Sequence, residues 1–563
     1  MLGQRNFLLL AGTALGGCLT MAALPTARAA TLGVPPPLSY PTAQYLKANP
    51  AARAGLLGRM AQRPMDAQVS DSHRFTATTG GTWSLVTTAP RSGLTSPELM
   101  TDGTVLVQDG DSPQWFRLTP DAKGNYAAGT WRKVAMMPVV GGTQYAPLYH
   151  ATGVLPDGRM IVMGGEYNAG AAVWTNQGAI YDNKTNSWTP VMPPAGSAWA
   201  QIGDAQSVVL PSGHFMLASC CAYPDANALF NPQSLNWKAT GAPANAGAYQ
   251  DEQGYELMPN NNVLTIDIWT NYPNGPANNA EMYSGKAGGT WSPTANLPVS
   301  LPDPCGTYEI GPAVTRGNRT VVAFGANTGC TTPTDPTAIY NVSANSWTQG
   351  PNVPQVCGSS GTDGCDLADA PAALEPNGNI LFAASSGYGS RPTHFFEFLP
   401  DNTIVQVSDP LLNASVSGSY YYNLLLLPSG QILMTDFSGT AEIYTPAGHA
   451  MQSMAPVVTN IPTTLTPGTT YSMGGNQLNG VSQGAYYGDD AQMATNYPVV
   501  RITNAATGDV AYARTFGYSS YSIKPGVAST AKFRVPTGIE TGSSTLQVVA
   551  NGVASSPISV TIN

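Results

Sequence analysis

The chain has 563 residues, of which only 10% are charged, while 60 are Gly and 47 are Pro. So few helix-favouring Lys, Glu and Arg against so many turn formers exclude a mainly helical protein and point to a turn-rich all-β one. The net charge of −9, without a dense basic run, argues against nucleic acid and against an acidic membrane surface as partners.

At the N-terminus, Arg5 precedes the apolar run FLLLAGTALGGCLTMAALP, and ARAA supplies small residues at the cleavage positions. This predicts a secretory signal peptide over residues 1–29 and a secreted, periplasmic or cell-surface protein. Leu15-Gly16-Gly17-Cys18 offers a lipoprotein alternative anchored through Cys18, but the apolar run continues past it, which favours cleavage after Ala29. Cleavage removes Arg5 and Arg28 and no acid, so −9 becomes −11. No later segment reaches about 18 uninterrupted apolar residues, so no transmembrane segment is expected. Residues 30–72, with four prolines from Pro35 to Pro41 and an amphipathic stretch over 43–61, read as a peripheral arm.

From residue 73 a pattern of strand, tight turn, strand recurs. Its copies are ELMTDGTVLVQDG, GVLPDGRMIVMGG, VVLPSGHFMLASC, ELMPNNNVLTIDI, AVTRGNRTVVAFG, AALEPNGNILFAA and LLLPSGQILMTDF. They centre on Gly103, Gly158, Gly213, Asn261, Gly317, Gly378 and Gly430, spaced by 48 to 61 residues. Gly or Asn at the turn suits a positive φ. Between hairpins lie Trp83, Trp131, Trp188, Trp237, Trp291 and Trp347, several preceded by a third strand such as GAIYD. Each unit therefore has four strands, and one four-stranded sheet cannot bury both faces. Radial stacking solves this and predicts a seven-bladed β-propeller over 73–453. The last hairpin is followed by AEIYTP but no later Trp strand, whereas TGGTWSLV precedes the first hairpin. The first Trp strand is thus expected to complete the last blade.

Six cysteines follow the leader, an even number that suits disulfides in an exported protein. Cys305–Cys330 and Cys357–Cys365 are natural pairs by proximity. Cys220-Cys221 is left open: a bond between neighbours, about 3.8 Å apart at Cα, would be strained, and two thiols or separate partners are the alternatives. Residues 454–563 alternate strands with turn glycines and read as a β-sandwich. Within it YYGDDAQMATNYP, with Asp489 and Asp490, is expected to be a solvated polar loop, a calcium site or propeller contact being the alternatives.

Loops leading into the innermost strands of a propeller converge at one mouth of its channel. Counting nine residues back from each turn gives Leu94, Tyr149, Asp204, Glu252, Tyr308, Asp369 and Tyr421, with His150, Asp251, Glu309, Tyr420 and Tyr422 beside them. Carboxylates and phenols gathered in a charge-poor chain have three functional readings. They could hold a cation of the Ca²⁺ kind through oxygen. They could bind a carbohydrate, tyrosines stacking while acids accept hydroxyl hydrogen bonds. They could form an acid/base pair for glycoside chemistry. The competing role is structural, with buried carboxylates tying neighbouring blades together. GGEYN and GYGSRP read as ordinary Gly-rich turns.

The hairpin, double glycine, AIYD and Trp together resemble the kelch repeat, and seven such blades resemble the galactose oxidase scaffold, which implies an Ig-like identity for residues 454–563. That family binds copper with two tyrosines and two histidines, one tyrosine cross-linked to a cysteine. Where the resemblance implies that cysteine, this chain has Tyr149, and where it implies the cross-linked tyrosine it has Asp204. The family's Tyr-His pair aligns with Tyr420-Tyr421, and no histidine follows His449 to supply the last ligand. Copper(II) favours imidazole, so copper is not expected, a variant site of Tyr149, His150 and Tyr421 being the exception. The expectation is carbohydrate binding. A variant oxidase of alcohols or aldehydes and an adhesive surface module are the alternatives.

Overall fold

A computed structural model describes residues 75–563 except 91, 246–248, 272–276, 305–307, 330, 331, 333, 359–363 and 488–492. The signal peptide, the arm and the Cys305–Cys330 pair lie outside the described residues.

The protein is all-β and propeller-like. Short hairpin turns join its strands into seven antiparallel sheets of four, one of which gains a fifth strand. The first strands of these sheets are Leu94–Leu99, Ala151–Val154, Ser207–Val209, Glu256–Leu257, Ala313–Thr315, Pro371–Leu374 and Asn423–Leu426. They are buried almost without alternation, as strands covered on both faces must be.

Polar bonds join these first strands to one another. Thr95 Oγ1 donates to Asn423 Oδ1 at 2.6 Å, Thr152 Oγ1 to Glu98 Oε1 at 2.6 Å, and Ser207 Oγ to the Thr152 carbonyl at 3.1 Å. The Thr315 N–H donates to Glu256 Oε1 at 2.6 Å. The tie-beam role for buried acids is therefore filled by Glu98 and Glu256. Burial pushes each of these carboxyls up to about 8.

The turn residues carry the positive φ their sequence foretells, from 73° at Asn261 to 92° at Gly378. The fifth hairpin is different: its left-handed residue is Arg319 (φ 67°), whose N–H bonds the Arg316 carbonyl, and not Gly317. Counting nine back from Arg319 reaches Ile310, so Tyr308 stands two residues away from the register expected of it.

Five of the tryptophans in the outermost strands face an aromatic residue directly across the ladder. Trp83, Trp188, Trp237, Trp291 and Trp347 pair with Tyr444, Tyr181, Phe230, Tyr283 and Tyr340. Ring centroids lie 4.9–5.2 Å apart, within the range of favourable tilted contacts. Thr82–Leu85 pairs antiparallel with Ala441–Thr445, so the strand before the first hairpin completes the seventh sheet as its sequence position requires.

From Val457 onward nine strands form a further sheet. One segment of this region does not stay with it. Ala485–Tyr487 pairs with Pro371–Leu374 on the sixth sheet, Gln483 Oε1 accepts the Leu257 N–H at 2.6 Å, and the Tyr497 hydroxyl donates to the Leu99 carbonyl. Tyr486, Met493, Asn496 and Tyr497 are buried, so the described part of YYGDDAQMATNYP is a wedge among first strands and not a solvated loop. Asp489 and Asp490 lie outside the described residues. Among the described residues no helix is long and apolar enough to cross a membrane.

Candidate functional site

In an antiparallel hairpin the residue entering the first strand lies beside the residue leaving the second. The Glu166 N–H accordingly donates to the Tyr149 carbonyl at 3.1 Å, the Phe437 N–H to the Leu94 carbonyl at 2.8 Å, and the Cys220 N–H to the Ile202 carbonyl at 3.0 Å. Neighbouring sheets are stitched at the same end: Gly165 N–H to the Gly203 carbonyl at 2.6 Å, and Asp369 N–H to the Ile310 carbonyl at 3.4 Å.

The backbone here is unusual. Tyr149 (φ 53°), Glu252 (58°), Tyr308 (64°) and Asp369 (50°) are all left-handed without being glycine. Such conformations cost on the order of 1 kcal/mol or more each and persist where surroundings over-determine them. Asp204 instead follows Gly203 (φ 70°), where a Cβ would fall 2.4 Å from Cys220 Sγ.

Side chains from six sheets meet at this end. Tyr149 packs against Tyr167 at 6.1 Å and Phe437 at 6.2 Å, and Tyr420 and Tyr421, carried on the short turn Ser419–Tyr421, lie 4.3 Å apart. Burial first, then the neighbouring Tyr420, Tyr421 and Glu166, holds the Tyr149 phenol well above its ordinary range. Tyr388 is raised likewise, by burial and then by Glu309, Asp369, Glu252 and Glu166. Its hydroxyl stands 3.4 Å from Glu309 Oε1.

Two acidic groupings lie near these aromatics. One ligand oxygen from each of Glu252, Glu309 and Asp369 comes within 4.8 Å of the others. Oxygens of Asp204 and Asp251 and the sulfur of Cys220 form a second set within the same limit. Burial raises Asp204 to about 7. Asp369 is pushed well up, by burial and then by Asp204 and Asp366. Cys220 is bonded to Cys221, which settles a pairing the sequence left open, and Cys357 to Cys365 as proximity suggested.

Of the residues expected at the mouth, Asp204, Asp251, Glu252, Glu309 and Asp369 are all at most 2% exposed. Solvent reaches the aromatic layer instead: Tyr167, Trp174, Tyr308 and Tyr388 are half-buried. Tyr308 stacks on Trp269 with centroids 4.7 Å apart, and the Trp269 indole donates to the Asp251 carbonyl at 2.6 Å.

His150 is not with the tyrosines. The left-handed bend at Tyr149 separates the two side chains: the Nε2 of His150 lies 3.0 Å from Gln108 Oε1, with its ring 6.0 Å from Trp115. Burial lowers it to about 4, so it is a neutral core residue. The donors around Tyr149 and Tyr421 are therefore phenols and carboxylates, and they do not fit a copper ion that wants imidazole nitrogen.

Glu166, Tyr167 and Tyr388 were missed in the sequence. They sit in GGEYN and GYGSRP, which read from sequence as plain Gly-rich turns. The signal was available: each follows the second strand of a hairpin, the position that faces the residues entering the first.

No protein-family profile matches the chain, and no curated protein sequence does. Among solved structures the chain is similar to a fungal alcohol oxidase of the AA5 family in complex with copper. The identity is 14% over 86% of this chain and 99% of that one, with a TM-score of 0.45. It is also similar to the Penicillium chrysogenum α-L-arabinanase complexed with arabinobiose, at 13% identity over 54% of this chain and 94% of that one, with a TM-score of 0.36. Both likenesses are too distant to bear on the chemistry.

Proposed function

We propose that the protein is an exported seven-bladed kelch-type β-propeller (73–453) followed by an Ig-like sandwich (454–563), and that it binds a carbohydrate-like ligand where the loops converge. Export is supported by the Cys357–Cys365 disulfide, a bond that persists in oxidising compartments. The observation carrying the ligand reading is the layering of the site. Half-buried Tyr388 stands beside buried Glu309, Asp369, Glu252 and Glu166, and half-buried Tyr167 beside buried Glu166 and Asp204. Flat apolar ring faces suit the C–H faces of a sugar ring, and carboxylate oxygens accept hydrogen bonds from its hydroxyls. The donor set speaks against the copper oxidase alternative.

A glycan array probed with the chain from residue 30 onward tests this. The reading expects at least one oligosaccharide to bind, and Tyr388→Ala to abolish the signal while the melting temperature holds. An array without hits, or hits indifferent to Tyr388→Ala, refutes it.

A further inference from the structure

We propose that Glu252, Glu309 and Asp369 together hold one hard divalent cation of the calcium class. The three side chains come from the loops entering the fourth, fifth and sixth sheets, and an oxygen of each lies within 4.8 Å of the other two. All are buried to 2% exposure or less. Three carboxylates in so small a buried volume repel one another strongly unless a cation or bound protons neutralise them.

A second observation lies beside the cluster. Both oxygens of Asp204 are buried with no hydrogen-bond partner among the described residues, and so is Oδ2 of Asp369. Neither aspartate forms an ion pair with a basic side chain among the described residues. A buried carboxylate normally receives two or more hydrogen bonds or a cation. Asp204 acts electrostatically on Asp369, so its charge adds to the pull on an ion held there.

The chemistry of the donors selects the ion. All three are carboxylates, with the Tyr388 hydroxyl 3.4 Å from Glu309 and no imidazole in the set. Oxygen-only sites prefer Ca²⁺ or Mg²⁺ over zinc or copper, and carboxylates that bind in either one- or two-oxygen mode suit the larger ion, with water completing the shell. The competing arrangement is a proton shared between Glu309 and Asp369, whose side chains are within hydrogen-bonding reach. The inference is independent of which glycan, if any, the rim accepts.

The test is calorimetric titration of chelator-treated chain (residue 30 onward) with Ca²⁺, and separately with Mg²⁺, at pH 7.5. One Ca²⁺ per chain is expected, bound more tightly than Mg²⁺. Asp369→Asn and Glu309→Gln should each weaken it at least about tenfold, while the exposed Asp401→Asn control binds as the parent does. If a variant fails to fold, the parent still decides: folded parent taking up neither ion means the carboxyls share protons, and the proposal falls. Calcium binding undiminished in both folded variants also overturns it. Glycan binding that persists in a chelator without ion uptake removes the cation and leaves the ligand reading standing.

Discussion

Asp204 concentrates the cost of this site in one side chain. Its folded pKa of about 7 lies above its ordinary value of 3.8, so the folded state holds the proton more tightly than the unfolded chain does. Stability from this group is therefore complete at low pH and is lost as pH rises through the window from about 4 to about 7. Asp204→Asn removes the charge at constant shape. In chelator it should gain roughly 1–3 kcal/mol over the parent at pH 8 and little at pH 4. Urea denaturation at the two pH values checks this, and equal stability differences at both would contradict it. His150 makes the opposite case. It is neutral and bonded to Gln108, so His150→Ala should destabilise by about 2–3 kcal/mol through a cavity. Any glycan affinity and Ca²⁺ uptake should stay unchanged. Loss of either at full stability would return the histidine to the site.

Among the elements, the strand Thr82–Leu85 is the one whose single residue carries most. Trp83 lies 4.9 Å from Tyr444 and 5.2 Å from Phe395, and its indole donates to the Ser408 carbonyl at 2.7 Å. Trp131 is more exposed and faces Leu118 instead of an aromatic ring. Trp83→Ala should cost about 3–5 kcal/mol and Trp131→Ala distinctly less; thermal melts that rank them the other way would undo this account of the seventh sheet. The hairpins and their tryptophans were legible because each repeats a local requirement: a positive φ at the turn, an aromatic ring across the ladder. The fifth turn departs from its sequence because Gly317 advertises a left-handed residue that Arg319 in fact supplies. Tyr149, Asp204, Glu252 and Asp369 were found by counting along the first strands, whereas Glu166 and Tyr388 needed the partner strand as well. Their proximity depends on pairing between strands, which no count along one strand reveals.

At the scale of the molecule, the wedge formed by residues 483–487 and 493–497 makes the first strands depend on the last part of the chain. Gln483, Tyr486 and Tyr497 contact the fourth, sixth and first sheets. No periodicity announced this, since a run rich in Tyr, Asp and Asn reads locally as a loop, whereas the burial of Tyr486, Asn496 and Tyr497 is set by partners over a hundred residues away. A chain ended at residue 455 should fail to give a cooperative melt, whereas the chain from 30 to 563 should melt as one unit; a folded, cooperative truncation would show the wedge to be dispensable. The central claim is that loops of separate sheets act as one ligand site. Its most direct test is titration of the strongest glycan-array hit into Tyr167→Ala, in the loop between the second and third strands of the second sheet, and Tyr388→Ala, in the corresponding loop of the sixth. Both should lose at least about tenfold in affinity, or 1.4 kcal/mol, without a change in melting temperature. Parent-like affinity in either folded variant would mean that the two sheets do not share a site.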